Sequence, residues 1–506
     1  MRQTFIFIGL FLWSGALVAA KTNAPPAPAT APEKPVVTRH LIRVGGTALD
    51  YAATAGFLPL ADEAGKPQAN LFFVAYTKAG ESDASRRPIT FAFNGGPGAS
   101  SVWLHLGALG PKRVVLAGDG TELPERYRLV DNDETWLGFT DLVFVDPIGT
   151  GYSRTAEGVD AKQFYSLAKD IDVASRFIRL YVTKYERWLS PKFVAGESYG
   201  TTRAAGLASR LQTAAGLNLS GVMLLSSALS FQTFSYDDGN DIAFALALPS
   251  LAAAAAYHKK ADVDRATVEQ WALNDYLGAL TRGDTLPEAD RRHIVEQMAK
   301  YTGLSANYIE TSRLRVSAAR FMKELLRGEQ RTVGLMDSRV VGVDVTPRGE
   351  YAHFDPAFFL VTGPFVATLN DYLRRDLNFE TNRPYEFLSR KVNDAWKWFA
   401  HGQGYVYVAD DLAEAMARDA HFRVFAAAGE YDLTTPYLGQ KYTFDHMGLD
   451  PSRRSNLVFR LYPAGHQIYT DPASLKKLHD DVAAFVDDTL VRSSSTSSAR
   501  QPGAAP

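Results

Sequence analysis

The chain has 506 residues, 46% apolar and 22% charged, which is enough for a large buried core and too long for one minimal domain. Its formal charge is −2, from 54 Lys and Arg against 56 Asp and Glu, and with no basic block it gives nucleic-acid binding no electrostatic support. Cysteine is absent, which excludes a disulfide framework, thiolate chemistry and a lipid-attachment cysteine.

Residues 1–20 carry Arg2, an apolar run from Phe5 to Trp13 and small residues at Val18 and Ala20. This is the pattern of a secretory signal peptide cleaved after Ala20. The run is shorter than the ~20 residues that span a bilayer, so no stable membrane insertion is expected after cleavage. The mature protein is expected to be periplasmic or secreted. Residues 21–35 are Ala/Pro-rich and read as an extended linker; residues 492–506 are unpatterned and read as a disordered tail.

Between the tails, short apolar runs alternate with long amphipathic stretches. Strands are expected at Leu71–Tyr76, Ile89–Phe93, Leu142–Val145, Lys192–Ala195, Val222–Leu225, Arg423–Ala427 and Leu457–Leu461. Several are apolar throughout, as strands covered on both faces must be. From Asp160 the spacing of Phe164, Leu167, Ile171, Ala174, Ile178 and Tyr181 predicts a helix, and Leu475, Leu478, Val482, Phe485 and Leu490 predict another. The alternation argues for a mainly parallel sheet with helices on both faces. Residues 231–399 break it with mostly helical text, and the sheet pattern returns at Arg423. The expected organisation is a core from 36 to 230, a mainly helical cap insertion over 231–399, and the rest of the core over 400–491.

Within this frame, Gly196-Glu197-Ser198-Tyr199-Gly200 sits where an apolar strand gives way to a helix. So abrupt a junction strains its turn residue and needs small neighbours. Ser198 is thereby expected at the sheet's carboxyl edge as a nucleophile, with helix amides facing any negative charge that forms beside it. The pentapeptide alone also suits an ordinary tight turn. A nucleophilic serine needs a base and an orienting carboxylate. His466 and Asp432 each follow a predicted strand, in the chain order Ser, Asp, His. A further glycine-rich loop, Asn94-Gly95-Gly96-Pro97-Gly98, ends the strand at Phe93 and leaves backbone amides unobstructed. It lacks the Lys-Ser/Thr ending of a phosphate cradle.

Together NGGPGASS, DPIGTGYS, GESYG, Gly429-x-x-Asp432 and Ala464-Gly465-His466 resemble the serine carboxypeptidase family, in that family's order, from about Phe91 to Tyr469. The resemblance implies an α/β-hydrolase fold with an inserted helical cap, hydrolysis of the last peptide bond of a chain, and neither cofactor nor metal. It assigns Ser198, Asp432 and His466 as the catalytic triad and the amides of Gly96 and Tyr199 as the oxyanion hole. Asn94, Gly95 and Glu197 would hold the substrate's terminal carboxylate. The substrate would be a peptide or a small acyl compound; oligomeric state is not indicated.

This chain departs from the family at Ala99, where a cysteine is usual, at Ala108, where a carboxylate-binding Glu is usual, and at Gln467, where Met is usual. Two activities therefore stay open: a carboxypeptidase, or an esterase, amidase or acyltransferase with weakened recognition of a free C-terminus. Without the Glu partner, Glu197 is expected to have a less elevated pKa. His105, three residues before Ala108 on a helix, is a candidate to offset its charge when protonated. Asp445 is the alternative should Asp432 not orient His466.

Overall fold

The computed structural model describes residues 34–498, apart from 82, 347 and 399–403, with side chains through residue 492. The expected signal peptide and nearly all of the linker lie outside the described residues. Among the described residues, no helix is long and apolar enough to cross a membrane.

A ten-stranded sheet organises the chain. Its main path comprises β1 (Val36–Val44), β2 (Thr47–Ala61), β3 (Pro67–Lys78), β4 (Ile89–Phe93), β5 (Asp141–Val145), β6 (Lys192–Glu197), β7 (Gly221–Leu225), β8 (Arg423–Gly429) and β9 (Leu457–Tyr462). The spatial order is β1-β2-β3-β5-β4-β6-β7-β8-β9, and the two-residue strand Arg154–Thr155 pairs with β3 off this path. From β5 to β9 every pairing is parallel, whereas β1, β2, β3 and β5 pair antiparallel. Apolar side chains fill both faces of β4, β5, β6 and β7, all of whose residues are buried. The chain runs from β4 to β5 on one side and later to β6 on the other. A parallel sheet places a crevice at such a reversal, outside the strands' carboxyl ends.

One face of the sheet is covered by α1 (Leu167–Lys184) and α2 (Tyr199–Arg210), which bury Phe177, Ile178, Tyr181 and Leu207 against Phe73, Phe91, Val143 and Val194. The expected helix from Asp160 thus begins with a 3-10 turn at Ala161–Phe164 and becomes α-helical at Leu167. Between β7 and β8 lies the insertion, where α3 (Asp241–Tyr257) packs Phe244, Leu248 and Leu251 into a separate apolar cluster. That cluster takes in Leu433, next to Asp432.

The insertion is not all cap. Its helix α4 (Pro356–Arg375) lays Val361, Phe365, Leu369 and Tyr372 into the cluster on the sheet's second face, with Phe72, Val74 and Tyr76 of β3. Recurrence at three and four residues gives α4 one continuous apolar side, and the sheet offers the larger surface on which to bury it. The same cluster receives Leu475, Leu478, Val482 and Phe485 from α5 (Pro472–Ser498). This helix continues past Val491, so residues 492–498 are helical and not the unstructured tail expected of them.

Candidate active site

The strand-to-helix junction after β6 has the predicted strain. Ser198 adopts φ 58° and ψ −128°, a region that side chains other than hydrogen seldom occupy. Its flanking glycines are required by contact: a Cβ on Gly196 would lie 2.2 Å from the Gly200 carbonyl oxygen, and one on Gly200 would lie 2.3 Å from that of Phe93. The loop after β4 closes in equally tightly. A Cβ on Gly95 would lie 2.6 Å from the Tyr199 amide nitrogen and 2.8 Å from the Ser198 Cβ.

Ser198, Gly96, Tyr199 and Thr435 line one cleft, walled on its apolar side by Phe231, Phe234 and Trp398. Behind Thr435, Asp432 and His466 are joined by a 2.8 Å contact between Oδ2 and Nδ1. Asp432 is fully buried, and its other oxygen accepts from the Thr434 and Thr435 amides at 2.7 and 3.0 Å. The Thr435 hydroxyl donates to Oδ2 at 2.7 Å. Burial acts to lower the His466 pKa, but the Asp432 carboxylate outweighs it, and the imidazole titrates above its ordinary range. Asp445 is excluded as the orienting carboxylate, being exposed and paired with Lys441.

Asn94 and Glu197 lie beside this group as a buried pair, with Asn94 Nδ2 donating to Glu197 Oε1 at 2.8 Å. Burial drives the Glu197 pKa up to about 7; His466, Tyr469 and Asn94 pull it down, and Asp432 adds to the rise. Glu197 is therefore strongly elevated even with Ala108 in place of the partner Glu. Loss of solvent is the largest cause of the shift, with Asp432 the one carboxylate that adds to it.

His105 does not serve Glu197. It is buried, stacked on Phe144 at 4.3 Å between ring centroids and hydrogen-bonded to the Tyr76 hydroxyl at 2.7 Å. Burial pulls its pKa down to about 3, so it stays neutral. The helix argument fails because His105–Leu109 is a π turn, closed by the Gly110 amide on the His105 carbonyl. The wider turn rotates residues three apart away from each other. Ala108 is fully buried in the cluster on the sheet's second face.

Several contributors were not foreseen. Arg203 of α2 is buried against Asp170 and donates to the Asn94 carbonyl at 2.9 Å, tying the glycine loop to the nucleophile's helix. Thr435 bridges the acid and the base, and its sign in the sequence was the run Asp432-Leu433-Thr434-Thr435, a local turn signal. A turn of the insertion, at residues 335–338, had no such sign. There the Leu335 carbonyl accepts from the Leu433 amide and the Met336 carbonyl from the His466 amide, while Ser338 donates to Tyr431. The insertion therefore braces the loops of both Asp432 and His466.

The raised Glu197 pKa makes a stability prediction. In the unfolded chain the carboxyl ionises near 4.5, in the folded protein near 7, so ionisation destabilises the fold as pH rises through that window. Glu197→Gln is expected to be more stable than the parent by about 3 kcal/mol at pH 8, the gain shrinking to near zero by about pH 4. Denaturant titrations at both pH values check this; an equal difference at the two would mean that Glu197 is not the titrating group.

The profile of the serine carboxypeptidase family matches residues 45–298, half of the chain. Ser198 and the glycine loop lie inside this match, and Asp432 and His466 lie beyond it. The pheromone-processing carboxypeptidase KEX1 of Yarrowia lipolytica is 30% identical over 158 residues, 31% of this chain and 24% of that protein. Carboxypeptidase Y of Candida albicans is 26% identical over 184 residues, 35% of this chain and 30% of its own length. The alignments thus span under a third of these relatives. The crystal structure of KEX1, a prohormone-processing carboxypeptidase from Saccharomyces cerevisiae, superposes with a TM-score of 0.57 at 16% identity, covering 86% of this chain and 91% of that one. It shares the α/β-hydrolase fold. By the extent of the profile match, the chain belongs to the serine carboxypeptidase family.

Proposed function

We propose that this protein is a serine-type carboxypeptidase, hydrolysing C-terminal peptide bonds through an acyl-enzyme intermediate. Ser198 attacks the scissile carbonyl as His466 takes its proton, and Asp432 holds the imidazole and stabilises its charged form. The Gly96 and Tyr199 amides, on the cleft wall beside Ser198, receive the oxyanion. His466 then protonates the departing amine, and water hydrolyses the acyl-enzyme by the same steps in reverse. Asn94, Gly95 and Glu197 hold the terminal carboxylate of the leaving residue. We further propose export to the periplasm or beyond the cell, on the pattern of residues 1–20.

The observation that carries this reading is the buried Asn94–Glu197 pair next to the nucleophile. A carboxyl buried beside the nucleophile and ionising only near pH 7 is a neutral donor in mildly acid solution, able to bind a carboxylate that an ionised Glu would repel. Ala108, whose buried methyl offers no polar group, favours the second reading, an esterase, amidase or acyltransferase. Hydrolysis of an N-blocked dipeptide acid, its amide and a simple ester separates the two. The carboxypeptidase reading expects kcat/KM for the acid to exceed that for the amide below pH 7, and their ratio to fall as pH rises through about 7. A ratio near one at every pH, with faster ester hydrolysis, would establish the second reading.

A further inference from the structure

Glu197 Oε2 and the Tyr469 hydroxyl are both sealed from solvent, and neither completes a well-formed hydrogen bond among the described residues. They interact weakly with each other, and Asn94 and Gln467 also lie beside the phenol, but none of these contacts has the geometry of a full hydrogen bond. The surrounding hydrogen bonds define what the two atoms offer. The Leu104 amide can only donate, and it donates to Asn94 Oδ1 at 3.0 Å. Asn94 Nδ2 must then be the donor to Glu197 Oε1. Because Oε1 is committed as an acceptor, the proton that Glu197 retains in mildly acid solution belongs on Oε2.

Tyr469 is held in place by its ring. It packs so closely on Gly107 that a Cβ there would lie 2.3 Å from the ring edge. Burial, reinforced by the neighbouring Glu197, keeps the phenol protonated far above neutral pH. Two hydroxyl donors that satisfy each other only poorly match the two oxygens of a carboxylate.

We propose that the Tyr469 hydroxyl, together with the Oε2–H of Glu197, donates to the terminal carboxylate of the substrate, which makes Tyr469 a specificity-determining residue. The proposal rests on the carboxypeptidase reading above. The phenol supplies a donor that does not titrate in the working range, so recognition needs one retained proton, that of Glu197, whose titration is further shaped by His466 and Asp432.

Binding to a Ser198→Ala protein tests this without turnover. The probes are an N-blocked dipeptide acid and its amide, measured by calorimetry at about pH 5.5. The Ser198→Ala protein is expected to prefer the acid, and adding Tyr469→Phe is expected to lower that preference roughly 10- to 100-fold, as loss of a hydrogen bond to a charged group does. Phe preserves the ring contact with Gly107, and thermal unfolding verifies that the fold is kept. An acid-to-amide preference that survives Tyr469→Phe would overturn the role of Tyr469 alone. Equal binding of the two probes before Tyr469 is changed would overturn carboxylate recognition at this site, and Tyr469's part with it.

Discussion

Ser198→Ala is expected to lower kcat by roughly 10⁶-fold, on the scale of nucleophile removal in other serine hydrolases, with thermal stability preserved. The backbone supports the second half of this expectation. The Ser198 amide donates to the Leu225 carbonyl at 3.0 Å, and the Ser198 carbonyl accepts the Thr201 amide at 2.8 Å. Neither bond uses the serine hydroxyl, so alanine keeps both and inherits the same strained φ. Ser198→Gly, equally inactive, is expected to be more stable than the parent by about 1 kcal/mol, because relief of ~1–3 kcal/mol of backbone strain exceeds the ~0.5–1 kcal/mol entropic cost of glycine. Ester hydrolysis and thermal unfolding measure the two effects. Residual kcat above about one per cent in Ser198→Ala would remove Ser198 as nucleophile.

Asp432→Asn is expected to reduce kcat by roughly 10⁴-fold with little change in KM, as for the equivalent change in other triads. The hydrogen bonds give the reason. Oδ1 of residue 432 accepts two backbone amides, so an asparagine at this position keeps its oxygen there and turns its NH₂ toward His466 Nδ1. The imidazole proton is then forced onto Nε2, the nitrogen that must accept from Ser198. The Thr435 hydroxyl, which now donates to Oδ2, loses its acceptor as well. Removing the carboxylate also leaves burial as the leading influence on His466, whose pKa should fall. The acid limb of the residual kcat/KM profile is therefore expected to move to lower pH. A nearly silent substitution, or a limb moving upward, would show that Asp432 does not govern His466.

The sheet's parallel half was legible because its strands are apolar on both faces, which yields unbroken runs such as Ile89–Phe93 and Val222–Leu225. The first two strands were not. β1 has one exposed face, and β2 is rich in Ala and Thr until a short apolar run at Phe57–Leu60 that Pro59 interrupts, so neither reads as a strand. At the site, the glycines around Ser198 were readable because contacts under 3 Å forbid any larger residue there, and a local requirement of that kind leaves a local motif. His105 was misread for the opposite reason. Residues three apart on an α-helix share a face, but a local π turn rotates this one, and the burial that neutralises it comes from neighbours distant in the chain, Tyr76 and Phe144.

The parallel half's strands, the strained serine turn and the short motifs that hold the acid and the base could be read from the sequence, since each is written in a few consecutive residues whose sterics or polarity admit few alternatives. Packing of the whole chain was needed to decide the burial of Glu197, the contact of Tyr469 with Gly107, and the brace that the insertion lays across the Asp432 and His466 loops. Those depend on how completely solvent is excluded and on which backbone groups meet across separations of up to hundreds of residues, and such quantities exist only once the chain has packed.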